Sequence, residues 1–360
     1  MRVALDAGPL LDPPTGVGRY TAELARSLDA MGATVCKFAF AMGGKAATDI
    51  ARFRIPARLA RVMWRWTGAP TATRLVGGAD VVHGTNFVLP ALGPAAGVVT
   101  IHDLSYLQEG AFPGADRLRK LVPWSIERAG RVIVPTEAIA IEVTKHYGTA
   151  REKLVVTHEG VSPLFFGATP LSDSALAGMG IARPFVLATG TDAPRKNLQR
   201  LLDAWLAAEM GRSGWTLVLA GPRGWGPRFG RTDDIHPLGW IGDETLPGLM
   251  AAADVFCYPS LYEGFGLPPL EAMAAGTACL VGEYSAAREV LGEGAFLVDP
   301  LSTESVADGL RRLVDDSQLR RTFSVRGRAQ ASLYTWEKTA RATLGAYAAA
   351  IDAHKASAAQ

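Results

Sequence analysis

A chain of 360 residues with Lys+Arg 37 against Asp+Glu 35 carries a formal charge of +2, too weak a field to gather nucleic acid. Hydrophobic residues at 48% and charged ones at 20% describe an ordinary globular core, in a chain long enough for two domains. Cys36, Cys257 and Cys279 stand among apolar neighbours at no metal spacing, which points to buried thiols in a reducing compartment rather than a disulfide framework.

The first residues, MRVALDAGPL, lack a signal-peptide layout because the apolar run is short and Asp6 interrupts it. They read as a first buried strand. No stretch approaches the roughly 20 apolar residues of a membrane-spanning helix, so the protein is expected in the cytoplasm. Further strands are predicted at 35–40, 81–83, 98–102, 132–134 and 154–158, with helical segments at 18–31 and 137–147. Residues 162–180 loosen into Pro, Gly, Ser and Asp. A second alternating set follows at 185–189, 217–220, 255–258, 278–281 and 296–298, and the chain ends in helical pattern. This is the pattern of two α/β, doubly wound Rossmann-like domains. The boundaries read as 1–165 and 166–342, with a helix over 343–360 returning to the first domain. Ligands of such sheets bind beyond the carboxyl ends of the strands, so motifs at those junctions carry most weight.

The first junction reads PPTGVGRYTAEL. Gly16 and Gly18 open a helix as in a phosphate loop, but the third glycine of the dinucleotide fingerprint is missing and no acid ends the second strand. That argues against a nicotinamide site and for a loop closing over a ligand. In RFRIPARLARVMWRW, residues 52–66, Leu59, Val62, Met63 and Trp66 share one helical face, and Arg58, Arg61 and Arg65 another. Two readings stay open for it: a membrane-surface helix, or a core-facing helix with solvated arginines. VVHGTNF places His83 and Asn86 after one strand, and VTIHDLSYL places His102 and Asp103 at the end of another. A histidine there either reaches a ligand or is satisfied by backbone; Asp103 has no other evident use in the sequence.

Two junctions of the second half carry charge. In ATGTDAPRKNLQRLL, Gly190 allows a turn, Arg195 and Lys196 offer a fork and a point charge to a diphosphate, and Asn197 suits the cap of the next helix. In LYEGFGLPPLEAMAAG, Glu263 lies in a strand-to-helix loop, and a helix is predicted from Pro268 with Glu271 in its first turn. The amides of Gly264, Phe265, Gly266 and Leu267 suit an anion, and the two carboxylates suit sugar hydroxyls. The plainer alternative has Glu271 complementing the helix dipole and Glu263 solvated. No Asp-x-Asp and no His/Cys cluster supplies a metal site, and no Gly-x-Ser-x-Gly marks a hydrolase.

Gly190-Thr191 with Pro194-Arg195-Lys196-Asn197, then LGWIGDETLPGLMAAADVFCYPSLYEGFGLPPLEAMAAGTACLV, then GAFLVDP, resemble the retaining glycosyltransferases of family 4. The resemblance runs along nearly the whole chain and is densest from 190 to 300. It implies the GT-B fold, with two Rossmann-like domains facing a cleft. It also implies a nucleotide-sugar donor used without metal or cofactor, and a glycan or polyprenyl-linked acceptor. Arg195 and Lys196 would hold the departing diphosphate, helped by the 264–267 amides and by Gly16. Glu271 would take the ribose hydroxyls, Glu263 the donor sugar, and Trp240 and Ile241 the base. His102 would lie near the reacting centre, with Asn86 and Asp103 on the acceptor side. Ala278 stands where many relatives have proline. The amino-terminal pattern looks most like bacterial mannosyltransferases of surface-polysaccharide assembly, which implies GDP-mannose and work at the inner face of the plasma membrane. A catalytically silent nucleotide-sugar-binding subunit is the competing expectation; it has no need of Arg195, Lys196, Glu263 and Glu271 together.

Overall fold

Strands buried along their whole length, such as those over residues 81–84, 96–100, 216–220 and 255–258, need helices on both faces, as in parallel sheets. The computed structural model describes residues 1–11, 15–42, 49–108, 111–112, 114–226 and 230–358. Its first sheet contains β1 (Arg2–Asp6), β2 (Thr34–Phe40), β3 (Ala51–Phe53), β4 (Val81–Gly84), β5 (Ala96–Thr100), β6 (Arg131–Val134) and β7 (Leu154–Val156). The second contains β8 (Phe185–Thr189), β9 (Thr216–Ala220), β10 (Ile235–Gly239), β11 (Val255–Tyr258), β12 (Cys279–Gly282) and β13 (Phe296–Val298). The orders are β3-β2-β1-β4-β5-β6-β7 and β10-β9-β8-β11-β12-β13, with parallel pairing throughout.

Two compact units hold one sheet each: residues 1–160 with 336–360, and residues 161–335. Both changes of unit fall a few residues ahead of the positions read from the sequence. The second coincides with the start of helix Trp336–Ala358, whose Trp336, Ala340, Tyr347 and Ala350 share one core with Val3, Leu24, Val81 and Val98. In the other unit Leu201, Trp205, Val255, Leu280, Val306 and Leu310 form the centre.

Two predicted strands end early: β5 stops at Thr100, leaving His102 in the following loop, and β7 stops at Val156. Two strands absent from the sequence reading are β3 and β10, both at sheet edges. β3 is three residues long and holds Arg52; β10 contains Pro237, which an edge tolerates, and its register shifts between Pro237 and Gly239.

The basic segment forms helix Ala57–Thr67, but its packed residues are Ala60 and Trp64. Trp64 meets the Phe40 ring edge-on at 4.8 Å and donates to the Pro70 carbonyl at 3.0 Å. The face read as apolar is outward: Leu59, Val62 and Trp66 are 51%, 55% and 81% exposed. Arg58 and Arg65 are exposed too, whereas Arg61 is half-buried and near Asp6. Among the described residues no helix is long and apolar enough to cross a membrane.

Candidate functional site

Strand order reverses between β8 and β11 in one sheet and between β1 and β4 in the other, and a crevice opens at the carboxyl ends of a parallel sheet at such points. In the 161–335 unit, β8 leads into Gly190, at φ 135°, packed so closely that a Cβ on Gly221 would lie 2.0 Å from its carbonyl oxygen. The turn Pro194–Lys196 follows, closed by Asn197 in the left-handed region at φ 59°. Asn197 does not cap helix Leu198–Ala207 with its side chain, as the sequence suggested. Its Nδ2 instead donates to the carbonyls of Pro259 at 3.1 Å and Pro300 at 2.7 Å, tying the Arg-Lys turn to the loops after β11 and β13.

This brings Arg195, Lys196 and Glu263 together. Glu263, 7% exposed, receives four donors on Oε1: Ser260 Oγ at 2.5 Å, Lys196 Nζ at 2.6 Å, Arg195 Nη1 at 2.7 Å and the Tyr258 hydroxyl at 3.0 Å. Burial alone would push its pKa up. The charges of Arg195 and Lys196, then hydrogen bonds from Lys196 and Ser260, outweigh burial and hold it down at about 2. Glu263 is therefore ionised at neutral pH, and it is paired rather than solvated. Lys196 also bonds the Tyr258 hydroxyl and sits 4.7 Å from that ring's centre. Tyr258 and Ser260 belong to the cluster although sequence reasoning passed over them, because they read as strand core and turn.

The loop beyond Glu263 has little freedom. Gly266 holds φ 96°, and a Cβ there would lie 2.1 Å from the Tyr284 hydroxyl, so both backbone and space demand glycine. Phe265 stacks its side chain edge-on against Tyr334, so a ligand would meet its backbone, as expected for Gly264 and Leu267. Helix Leu267–Ala274 starts one residue before the predicted Pro268, which places buried Glu271 in the second turn, not the first. The dipole explanation for Glu271 weakens accordingly, since that effect fades beyond the first turn.

Beside the cluster, a cavity of about 210 Å³ lies at the ends of β8, β9 and β10, lined by Gly190, Asp192, Gly221, Arg223, Pro237 and Gly239 among others. Thr189 also lines it, and its buried Oγ1 has no hydrogen-bond partner among the described residues. Trp240, well exposed, and Ile241, half-buried, come directly after β10. A flat ring with one hydrogen-bonding edge suits such a pocket.

In the other unit, Gly16 is the exposed first residue of helix Gly16–Ala30, where Thr15 Oγ1 accepts from the Gly18 amide at 3.1 Å. Pro13 and Pro14 of the same motif lie outside the described residues. His83 is not a ligand group: it is buried between the Tyr347 hydroxyl at 2.7 Å and Thr100 Oγ1 at 2.8 Å, and burial, then the neighbouring His102, lower its pKa to about 3. Asp103 has a structural task that the sequence did not show, accepting from the Ser105 amide and hydroxyl at 3.0 and 2.8 Å. Asn86 is half-buried, with a buried Oδ1 that has no hydrogen-bond partner among the described residues. His102 holds the Thr85 carbonyl at 2.8 Å and Glu159 at 3.1 Å. Neither Glu159 nor Asp6 was singled out in the sequence. Asp6 ends β1, and burial raises its pKa to about 6 against a bond from Gly8 and the charge of Arg61. Among the described residues no group of His, Cys, Asp and Glu is placed to hold a metal ion.

Comparison with known proteins identifies the family and the fold. The family description Glycosyltransferase Family 4 matches residues 14–163, and Glycosyl transferases group 1 matches residues 181–330. O-antigen chain mannosyltransferase B of Escherichia coli is 32% identical over 285 residues, 74% of either chain. MMP alpha-(1->4)-mannosyltransferase of Mycolicibacterium hassiacum is 30% identical over 231 residues, 61% of this chain and about half (54%) of that protein. Among solved structures, sucrose-phosphate synthase of Thermosynechococcus elongatus superposes with a TM-score of 0.74 at 21% identity, over 96% of this chain and 97% of that one, a likeness of fold. With both halves matched in order, two Rossmann-like sheets of the GT-B kind and a relative at 32% identity covered over 74% of its length, the chain belongs to glycosyltransferase family 4.

Proposed function

We propose that this glycosyltransferase moves mannose from GDP-mannose, with retention of configuration, to a hydroxyl of a lipid-linked or surface-polysaccharide acceptor, using neither metal nor cofactor. The observation that carries the reading is the cluster of Arg195, Lys196 and Glu263 at the β8/β11 reversal, beside the 210 Å³ cavity. Mannose is favoured by the names of the two relatives.

In this reading the bond from the sugar's anomeric carbon to the diphosphate breaks, and charge grows on the leaving oxygens. Arg195 and Lys196 and the amides of 264–267 meet that charge. Glu263, already ionised with a pKa near 2, serves as acceptor for donor-sugar hydroxyls and fixes the two cations; it has no proton to give at neutral pH. Glu271 takes the ribose hydroxyls, Trp240 and Ile241 the base, and His102 lies near the transferred sugar, with Asn86 and Asp103 towards the acceptor. The departing phosphate helps to deprotonate the incoming hydroxyl on the same face.

The same proposal places the protein against the inner face of the plasma membrane through helix Ala57–Thr67. Outward Leu59, Val62 and Trp66 beside Arg58 and Arg65 support it, since apolar anchors flanked by cations suit an anionic lipid surface.

A thermal-shift screen of the purified protein against GDP, UDP, ADP and their sugar conjugates, with and without chelator, tests the donor. A ligand at 100 times its Kd stabilises by about 2.7 kcal/mol. A shift with GDP and GDP-mannose, unchanged by chelator, is expected. A shift with UDP-sugars alone would discard mannose and keep transfer, and none with any nucleotide would overturn the nucleotide-sugar reading itself.

A further inference from the structure

His102 is 8% exposed, and both of its ring nitrogens are engaged inside its own unit. Nε2 lies 2.8 Å from the Thr85 carbonyl oxygen, which can only accept, so Nε2 carries hydrogen. Nδ1 lies 3.1 Å from Glu159 Oε1, itself in a residue 6% exposed. An ionised carboxylate also only accepts. The pair therefore holds one more proton than a neutral imidazole beside a carboxylate, and imidazole is the stronger base of the two. The rings of Tyr20 at 4.8 Å and Phe87 at 5.9 Å pack edge-on against the imidazole.

We propose that Glu159 is a positioning residue for the transfer reaction: it keeps His102 as a doubly donating imidazolium, fixed in orientation and charge. This rests on the proposed place of His102 near the transferred sugar. On this arrangement His102 is neither general base nor proton shuttle; it acts as a standing positive charge held beneath the carboxyl end of the unit's sheet. The groups facing it are consistent. Burial opposes the charge, but the hydrogen bond and charge of Glu159, the Thr85 carbonyl and the charge of Asp103 together raise its pKa above the ordinary histidine value. The nearest other base, His83, is held neutral, and Tyr20 gives its hydroxyl to the Thr100 contact at 3.0 Å.

The test combines the ring-nitrogen NMR spectrum of histidine-labelled protein, in which six histidines must be separated, with steady-state kinetics of Glu159→Gln and Glu159→Asp. His102→Asn identifies the resonance. In the wild type, both His102 nitrogens should show imidazolium shifts through pH 7. In Glu159→Gln the ring should become neutral at that pH, with kcat lowered on the order of 10²-fold, donor KM nearly unchanged, and activity recovering as pH falls. Glu159→Asp should restore part of both signals. A neutral His102 in the wild type, or a Glu159→Gln protein with the same ring charge and pH profile, would overturn the proposal. Loss of the ring charge without any change in kcat would overturn the positioning role. The spectrum is read without substrate, so it stands apart from failure of the donor assignment.

Discussion

The two sheets reverse strand order in the same way, yet they use the reversal differently. At β8/β11, two cations from one loop converge on a carboxylate oxygen of another, beside a cavity. In the sheet of β1 and β4, a set of polar side chains is consumed internally. Tyr347, His83, Thr100 and Tyr20 form one buried chain, and His102 is closed by Glu159 and Thr85. Equal topology thus supports one site built from loop charges and another built from a satisfied network. The first turns its electrostatics towards a ligand; in the second, the chain from Tyr347 to Tyr20 serves rigidity, and His102 with Glu159 holds a fixed charge.

The sharpest way to break this contrast is Arg195→Ala. Turnover should fall by roughly 10³-fold while the fold persists, because Glu263 keeps Lys196, Ser260 and Tyr258. The acid side checks the cause. Glu263 has a lowered pKa, so its stabilisation is complete above the ordinary value of 4.5 and is lost as pH falls towards 2. Removing Arg195 raises that pKa, so the acid loss of stability, which still begins near the ordinary value, should be smaller and should end at higher pH. Near-normal turnover would separate the cluster from phosphate chemistry.

Gly266→Ala comes next. The left-handed backbone and the clash with the Tyr284 hydroxyl should together cost about 3 kcal/mol in denaturant unfolding. Adding Tyr284→Phe should return a large part of it, since the Tyr284 hydroxyl makes only a 3.5 Å contact with the Phe265 carbonyl. No recovery would mean that the backbone conformation alone sets the cost. The smallest effect belongs to the closed network: Tyr347→Phe should cost about 1 kcal/mol and leave kcat almost unchanged. A large loss of kcat there would erase the distinction between the two regions.

Much of this was legible beforehand, for reasons that can be named. Parallel strands covered on both faces are short apolar runs, so the central strands stood out; β3 and β10 did not, because edge positions admit Arg52 and Pro237. Arg195, Lys196 and Glu263 were visible because each sits at a strand-to-loop junction with glycine nearby. Glu159 was not: its partner His102 is 57 residues away, and only the fold pairs them. Asn197 looked like a helix cap because residue type cannot reveal that its backbone is left-handed and its amide turned to Pro259 and Pro300. In Ala57–Thr67 the periodicity was correct, but the stripe that packs is Ala60 with Trp64, so period alone did not tell the inward face from the outward one.

The last helix has a consequence for how the molecule is made. Residues 161–335 form an uninterrupted unit, whereas the unit that begins the chain lacks Trp336, Ala340, Tyr347 and Ala350 until the final stretch has been synthesised. On the ribosome, therefore, the second unit in the sequence can be the first to close its core. The opening unit must wait, with Tyr20, Leu24 and Leu28 uncovered and His83 without its tyrosine, for a segment translated hundreds of residues later. Nascent chains halted just before Trp336 should accordingly hold one protease-resistant unit, and it should be the later one.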